Sequence, residues 1–449
     1  MTMPAGKLPV PRTPAVAPEP GRIPGRRWRI ALLLGLGVLV NYFDRVNLSV
    51  SHHALIAAFA ISDVTFGYLS AAYNWSYALC QLPIGVLLDR FGVRKIGRIG
   101  TFLWSVASFA TAGSPWMSGL FASRLLLGIG EAPTFPANAK AVGYWFPPEE
   151  RSMATAIFDS TAKLASAIGV PLIGILMVKF GWRWGFAATG VVSFLYFLIF
   201  WAVYKDPDED PGLSPQELAF IRAEYSRPAA EGASSGETAT FGHLLRQRKV
   251  YGVLLGFGAY NYVFYLLLTW LPSYLSSALH IDIVRSLLYT SAPWLIATAA
   301  DLAVGGYLVD KLIAIGWPAN TVRRVVLVTG TGLGLGIFGA AHASTAGQAL
   351  AWISLSIGGL SAAAPVVWSL PSLLAPRQSV GALGGIMNFS SQLSGISAPI
   401  VTGYLVAYRH SYAWAFGVAA AYLVIGVAGY VFLLGKIERI PANGPDGFR

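Results

Sequence analysis

Charge is scarce in this sequence. Only 12% of its 449 residues are Asp, Glu, Lys or Arg, against 55% hydrophobic residues. A soluble globular chain carries about twice that share of charge, so this composition excludes one. Cysteine is nearly absent too. Cys80 stands alone, so an intramolecular disulfide is impossible and the redox compartment is not legible. Acidic residues are outnumbered, 21 against 32 basic, for a net charge of +11. No basic, aromatic-interleaved face accompanies that excess, so nucleic acid is not an expected partner. The six histidines fall in or near loops without metal-ligand spacing, so no metal is expected.

What the chain has instead is apolar runs of about 20 residues along its whole length, the length a helix needs to cross a bilayer. The mean hydropathy is +0.57. Barrel strands would be shorter and alternate in polarity. The fold class read here is an all-α polytopic membrane protein embedded in the lipid bilayer. Twelve spans are expected, near 29–51, 64–88, 96–113, 116–142, 152–178, 184–204, 250–276, 286–309, 324–342, 347–372, 380–407 and 411–435. Basic residues gather in alternate loops, such as Arg90, Arg94 and Lys95, then Lys311, Arg323 and Arg324. By the positive-inside rule both termini are cytoplasmic.

The spans divide six and six. Residues 1–27, rich in Pro and Arg, read as a disordered cytoplasmic tail. Residues 28–204 form an N-terminal six-helix bundle, 205–249 a charged and Gly/Ser-rich linker, 250–435 a C-terminal six-helix bundle, and 436–449 a second tail. The bundles echo each other. Asn41-Tyr42 in span 1 has a counterpart in Asn261-Tyr262 of span 7, and Asp89 after span 2 in Asp310 after span 8. A duplicated unit of this kind places the binding site between the halves, near the bilayer midplane.

Ionisable residues inside spans are costly, and they mark substrate or proton paths. Asp44 and Arg45 lie in span 1, Arg124 and Glu131 in span 4, and Asp159 and Lys163 in span 5. Asp44 lies roughly 21 Å into its span and Arg124 roughly 12 Å in from the other side, so an Asp44–Arg124 pair is expected. Glu131 shares the Arg124 face, roughly 10 Å deeper. The second half is uncharged at the matching points: span 7 has Phe264-Tyr265 where span 1 has Asp44-Arg45. The expected division gives charge and protons to the first half. Hydroxyl and amide contacts come from the second.

The segment Gly85-Val-Leu-Leu-Asp89-Arg90-Phe-Gly92-Val-Arg94-Lys95 closely matches the signature of the major facilitator superfamily. Span 4 reads Arg124-Leu-Leu-Leu-Gly128-Ile-Gly130-Glu131-Ala-Pro133, and Trp145-Phe146-Pro147 with Glu150-Arg151 follows it. With NYFDRVNLSV in span 1, the chain resembles the anion:cation symporter family, which includes bacterial galactonate, glucarate and hexuronate transporters. The resemblance implies proton-coupling roles for Asp44 and Glu131. It implies substrate-binding roles for Arg45 and Arg124, and for Tyr42, Tyr77 and Asn388. Tyr265 and Lys163 complete the expected binding set, and Asp89, Arg90, Arg94 and Lys95 form a conformational clamp. One departure stands out: many members carry Asn-Ser and then Gln early in span 5, where this chain has Asp159-Ser160-Thr161-Ala162-Lys163.

The expected function is proton-coupled import of a sugar acid by alternating access in a bacterial inner membrane. The protein would act as a monomer, with the proton as coupling ion and no cofactor. An aromatic or dicarboxylic acid is the alternative substrate, favoured by the extra cation at Lys163. A transport-derived sensor would need a larger cytoplasmic domain. An enzyme is not expected: Gly232-Ala-Ser234-Ser-Gly236 fits a hydrolase pattern but lacks strand context, and Gly334-Leu-Gly336-Ile-Phe-Gly339 sits in an apolar span.

Overall fold

The computed structural model describes residues 25–146, 151–223, 239–376 and 379–441. The tail before residue 25, Pro147 and Glu150, the glycine–serine motif at 232–236 and the tail from 442 onward lie outside the described residues. So do the side chains of Asp89 and Arg151.

The described chain is helical almost throughout. The first set of helices comprises α1 (Arg26–Val50), α2 (Asp63–Gly113), α3 (Met117–Glu131), α4 (Thr134–Trp145), α5 (Arg151–Phe180) and α6 (Trp182–Val203). After α7 (Pro215–Ala223), the second set comprises α8 (Arg248–Ser273), α9 (Ile283–Ala300), α10 (Ala319–Gly334), α11 (Ala346–Leu374), α12 (Val380–Arg409) and α13 (Tyr412–Ala428). Among the described residues, eight helices are long and apolar enough to cross a membrane, or nine if one bent pair is a single span.

Two of the expected spans show breaks. Spans 64–88 and 96–113 are separate helices that meet at Gly92, whose φ of 77° suits glycine, and they are labelled together as α2. In the run 116–142 the hydrogen-bond ladder is interrupted at Ala132-Pro133, between α3 and α4, while both residues keep helical backbone angles. Proline supplies no amide hydrogen to continue the first helix. Within the expected tail and linker, residues 25–27 and 205–223 pack on one another. Arg26 and Arg27 already belong to α1, and they pair with Asp210 and Glu217 of the 205–223 segment at 2.8 and 3.0 Å. Glu217 is fully buried. A buried carboxylate needs a cation, and these arginines supply one each. The segment therefore docks on the start of α1.

The two sets close tightly at one end. A Cβ on Gly67 of α2 would stand 2.7 Å from the Pro399 carbonyl oxygen of α12. One on Gly403 of α12 would stand 2.6 Å from the Asp63 carbonyl oxygen of α2. Only glycine admits backbones this close. Ser49 Oγ donates to the Thr269 carbonyl (2.8 Å) and Asn74 Nδ2 to the Gly395 carbonyl (3.0 Å), adding polar ties across the same seal. Towards the end that carries Arg26, the sets part: a Cβ on Gly85, Gly384 or Gly385 would meet nothing within 4 Å.

Candidate functional site

Arg45 lies at the centre of the site. It is buried on α1, and its Nε donates to Glu131 Oε2 at 3.1 Å. Its guanidinium also lies over three tyrosine rings, with centroids at 4.4 Å for Tyr42, 4.7 Å for Tyr73 and 5.7 Å for Tyr77. Such contacts stabilise a cation where water is scarce. Among the described residues, Arg45 Nη2 and Glu131 Oε1 have no hydrogen-bond partner. Both groups thus keep capacity for a further ligand or proton.

The neighbouring acid is held differently from the expected Asp44–Arg124 ion pair. The Asp44 carboxylate accepts from Ser108 Oγ (2.7 Å) and Ser193 Oγ (2.8 Å), on α2 and α6. Arg124 Nη1 instead donates to the main-chain carbonyl of Asp44 at 3.3 Å. Two serine hydroxyls solvate the carboxylate inside the first helix set. The arginine meets the same residue through its backbone. α3 approaches α2 at Gly128, where a Cβ would stand 2.1 Å from Ser76 Oγ, and this contact sets Arg124 and Glu131 beside Tyr73 and Tyr77.

Two cavities flank Arg45. The one nearer the seal has a volume of ≈ 30 Å³ and is lined by Arg45, Tyr73, Arg124, Tyr265 and Thr269 among others. The one nearer the open end has a volume of ≈ 60 Å³, and its lining includes Tyr42, Arg45, Tyr77, Lys163, Tyr265 and Asn388. Each has room for water molecules. Arg45 and Tyr265 line both and so divide them. The second cavity gathers six of the expected binding residues. Arg124 reaches only the first, and Asp44 and Glu131 stand behind the lining of both.

The second helix set is not uncharged. Asp301, buried where α9 passes into the π-helical turn Asp301–Leu308, pairs with Lys163 of α5. Lys163 also pairs with Asp159 at 2.7 Å. Asp301 was missed at the sequence level although the signal existed: it is a lone carboxylate in the apolar run 286–309. Tyr73 and Gln81 also belong to the site. Gln81 Oε1 accepts from Asn388 Nδ2 at 3.0 Å, across the two sets. His52, fully packed at the seal, lies 2.8 Å from both Asp63 Oδ1 and Ser273 Oγ.

Three of the four expected clamp residues have described side chains. Arg94 pairs with Glu209 of the linker segment, while Arg90 and Lys95 lie over the Phe91 ring at 5.3 and 4.9 Å.

Buried charges between two packed helix sets, with a cavity open towards one end, define a membrane transporter. The profile of the Major Facilitator Superfamily matches residues 34–399, and the chain belongs to that superfamily. Within it, the chain is related to sugar-acid transporters of the anion:cation symporter type. It is 38% identical to an uncharacterized transporter of Bacillus subtilis (strain 168), over 92% of this chain and 95% of that one. It is 32% identical to the D-galactonate transporter of Escherichia coli O6:H1, over 95% and 99%. It is 31% identical to a probable galactarate/D-glucarate transporter of Escherichia coli (strain K12), over 92% and 96%. Among solved structures, a bacterial homolog of the human lysosomal transporter Spinster shares the fold, with a TM-score of 0.71 at 17% identity, covering 90% of this chain and 96% of that one.

Proposed function

We propose that the chain is a proton-coupled importer of sugar acids, built of twelve spans in two six-helix halves with both termini in the cytoplasm of a bacterium. The observation that carries this reading is the Arg45–Glu131 pair at 3.1 Å, with one nitrogen and one oxygen left unpartnered. A substrate carboxylate and the Glu131 carboxylate compete for one guanidinium. Protonating Glu131 releases Arg45 to the substrate, and a bound substrate favours the protonated acid. That coupling is reciprocal. Arg suits the role because it stays charged and presents a planar fork to carboxylate oxygens. Asp44, solvated by Ser108 and Ser193, is the second proton carrier and senses Arg124 through the helix backbone.

With the termini cytoplasmic, the cavity that holds Asn388 opens inward and the Gly67–Pro399 contact is the outer seal. Rocking of the halves about the site exchanges the two. The relatives named for galactonate and for galactarate/D-glucarate support a polyhydroxy acid as substrate. A second reading is favoured by one observation: half of the residues lining the larger cavity are aromatic. Rings of that number suit an aromatic carboxylate.

A thermal-shift panel on the purified protein tests the substrate class. D-galactonate and galactarate should raise the melting temperature, and further as their concentration rises above the dissociation constant. A shift with benzoate alone would move the assignment to aromatic acids, and no shift with any acid would overturn both.

A further inference from the structure

Lys163 and Asp301 join the two helix sets at the depth of the larger cavity. Lys163 stands about 11 residues, roughly 16 Å, along α5 from Gly174, whose Cβ would touch Leu287 of α9 at the seal. Asp301 stands about 14 residues, roughly 21 Å, along from Leu287. Gln81 and Asn388 repeat these separations from Gly67 and Pro399 on the opposite side of the cavity. Among contacts between described residues, these two pairs are the polar ties between the sets nearest the open end.

The charges around Lys163 do not balance. One ammonium faces two carboxylates, Asp159 and Asp301. Tyr260 of α8 faces the group as well, and α11, which packs on the Asp301 turn, carries no ionisable side chain between Ala346 and Leu374. Counted with the Arg45 cluster, three cations (Arg45, Arg124, Lys163) meet four carboxylates (Asp44, Glu131, Asp159, Asp301). A buried charge without a partner is expensive, so one proton belongs to the set even when no substrate is bound.

We propose that Lys163, Asp159 and Asp301 form a second anion subsite, opened by a proton at Asp301, that receives a second acidic group of the substrate. This rests on the sugar-acid reading above and deepens it. A proton from the aqueous cavity passes to an Asp301 carboxylate oxygen and breaks its ion pair with Lys163. The freed ammonium donates to the far carboxylate of a diacid whose near carboxylate is on Arg45. Asp159, one turn before Lys163, keeps the ammonium aimed at the cavity. The same proton loosens a tie between the halves, so loading the second acid and moving the halves become one event.

Binding of D-galactonate and of galactarate, which differ at one terminal carbon, tests this on the full chain at pH 6 and pH 8. Wild type should prefer galactarate at pH 6 and lose the preference at pH 8. Asp301→Asn, neutral at both values, should raise the galactarate-to-galactonate affinity ratio about tenfold over wild type at pH 8 and make that ratio independent of pH. Lys163→Gln should abolish the preference at both. The double variant removes the whole pair, so it tests the subsite even if Asp301→Asn alone does not fold; it too should bind both acids alike. Equal effects of Asp301→Asn on the two acids, or no galactarate preference in wild type at pH 6, would overturn the subsite while leaving galactonate transport standing. A wild-type chain that binds neither acid would remove the underlying reading and the subsite with it.

Discussion

Arg45 and Glu131 meet at 3.1 Å across 86 residues of sequence, in a region where water has little access. The pair links the helix that begins the chain to the end of α3. Competition between the substrate and Glu131 takes place at this pair. Glu131→Gln should keep the site neutral with the substrate bound but remove the proton. Substrate exchange across the membrane should continue, whereas concentrative uptake driven by a pH gradient should fall to background. Uphill uptake at the wild-type rate in this variant would dissociate Glu131 from coupling.

Asp44→Asn makes a separate case, because its partners are serines rather than a cation. Serine hydroxyls rotate and can accept from an amide as readily as they donate to a carboxylate. The variant should therefore fold and bind substrate. It should lose accumulation against a gradient, read as a steady-state internal concentration equal to the external one. Normal accumulation would remove Asp44 from the proton path.

Arg45→Lys preserves the charge and discards the fork and the flat face over Tyr42 and Tyr73. Substrate affinity should fall about tenfold or more, measured by direct binding. Retained affinity would mean that Arg45 acts as a point charge only.

Much of this site was legible in the sequence for a simple reason. Asp44, Arg45, Arg124, Glu131 and Lys163 are charges in apolar runs, and a bilayer makes each conspicuous. Asp301 obeys the same rule, but the repeat matches Asp89 to Asp310 and gives Asp301 no counterpart. The Asp44–Arg124 pairing failed for a different reason. Depth along a span says which residues share a level, but not whether an arginine meets a carboxylate or the carbonyl behind it. Ser108 and Ser193 come from two other helices, and hydroxyls in spans leave no periodic trace. The docking of 205–223 was hidden by composition: a charged, proline-rich stretch reads as linker until Arg26 and Arg27 supply partners for its buried carboxylates.

The docked segment carries a stability prediction. Glu217 is fully buried and accepts from Arg27 at 3.0 Å. Glu217→Gln removes the carboxylate that accepts from the Arg27 guanidinium and from the Arg26 and Arg27 amides, and should cost about 3 kcal/mol. The melting temperature of the solubilised protein should drop, with galactonate affinity unchanged. An unaltered melting temperature would show the pair to be replaceable by neutral hydrogen bonds.

The seal can be forced. Gly67→Leu places a side chain where only 2.7 Å separates its Cβ from the Pro399 carbonyl oxygen, so the closed end must open. With Cys80→Ser as background, a cysteine at Ser70, which lines the cavity beside the seal, should react about tenfold faster with an impermeant thiol reagent applied at that end. No change in rate would mean that the helices absorb the side chain without altering the populations of the two states.

The central claim is that proton movement drives uptake of an organic acid, and purified protein in liposomes tests it most directly. With the outside more acidic than the inside, labelled D-galactonate should accumulate above its external concentration, and a protonophore should collapse the accumulation. Uptake that stops at equal concentrations, with or without the pH gradient, would contradict proton coupling.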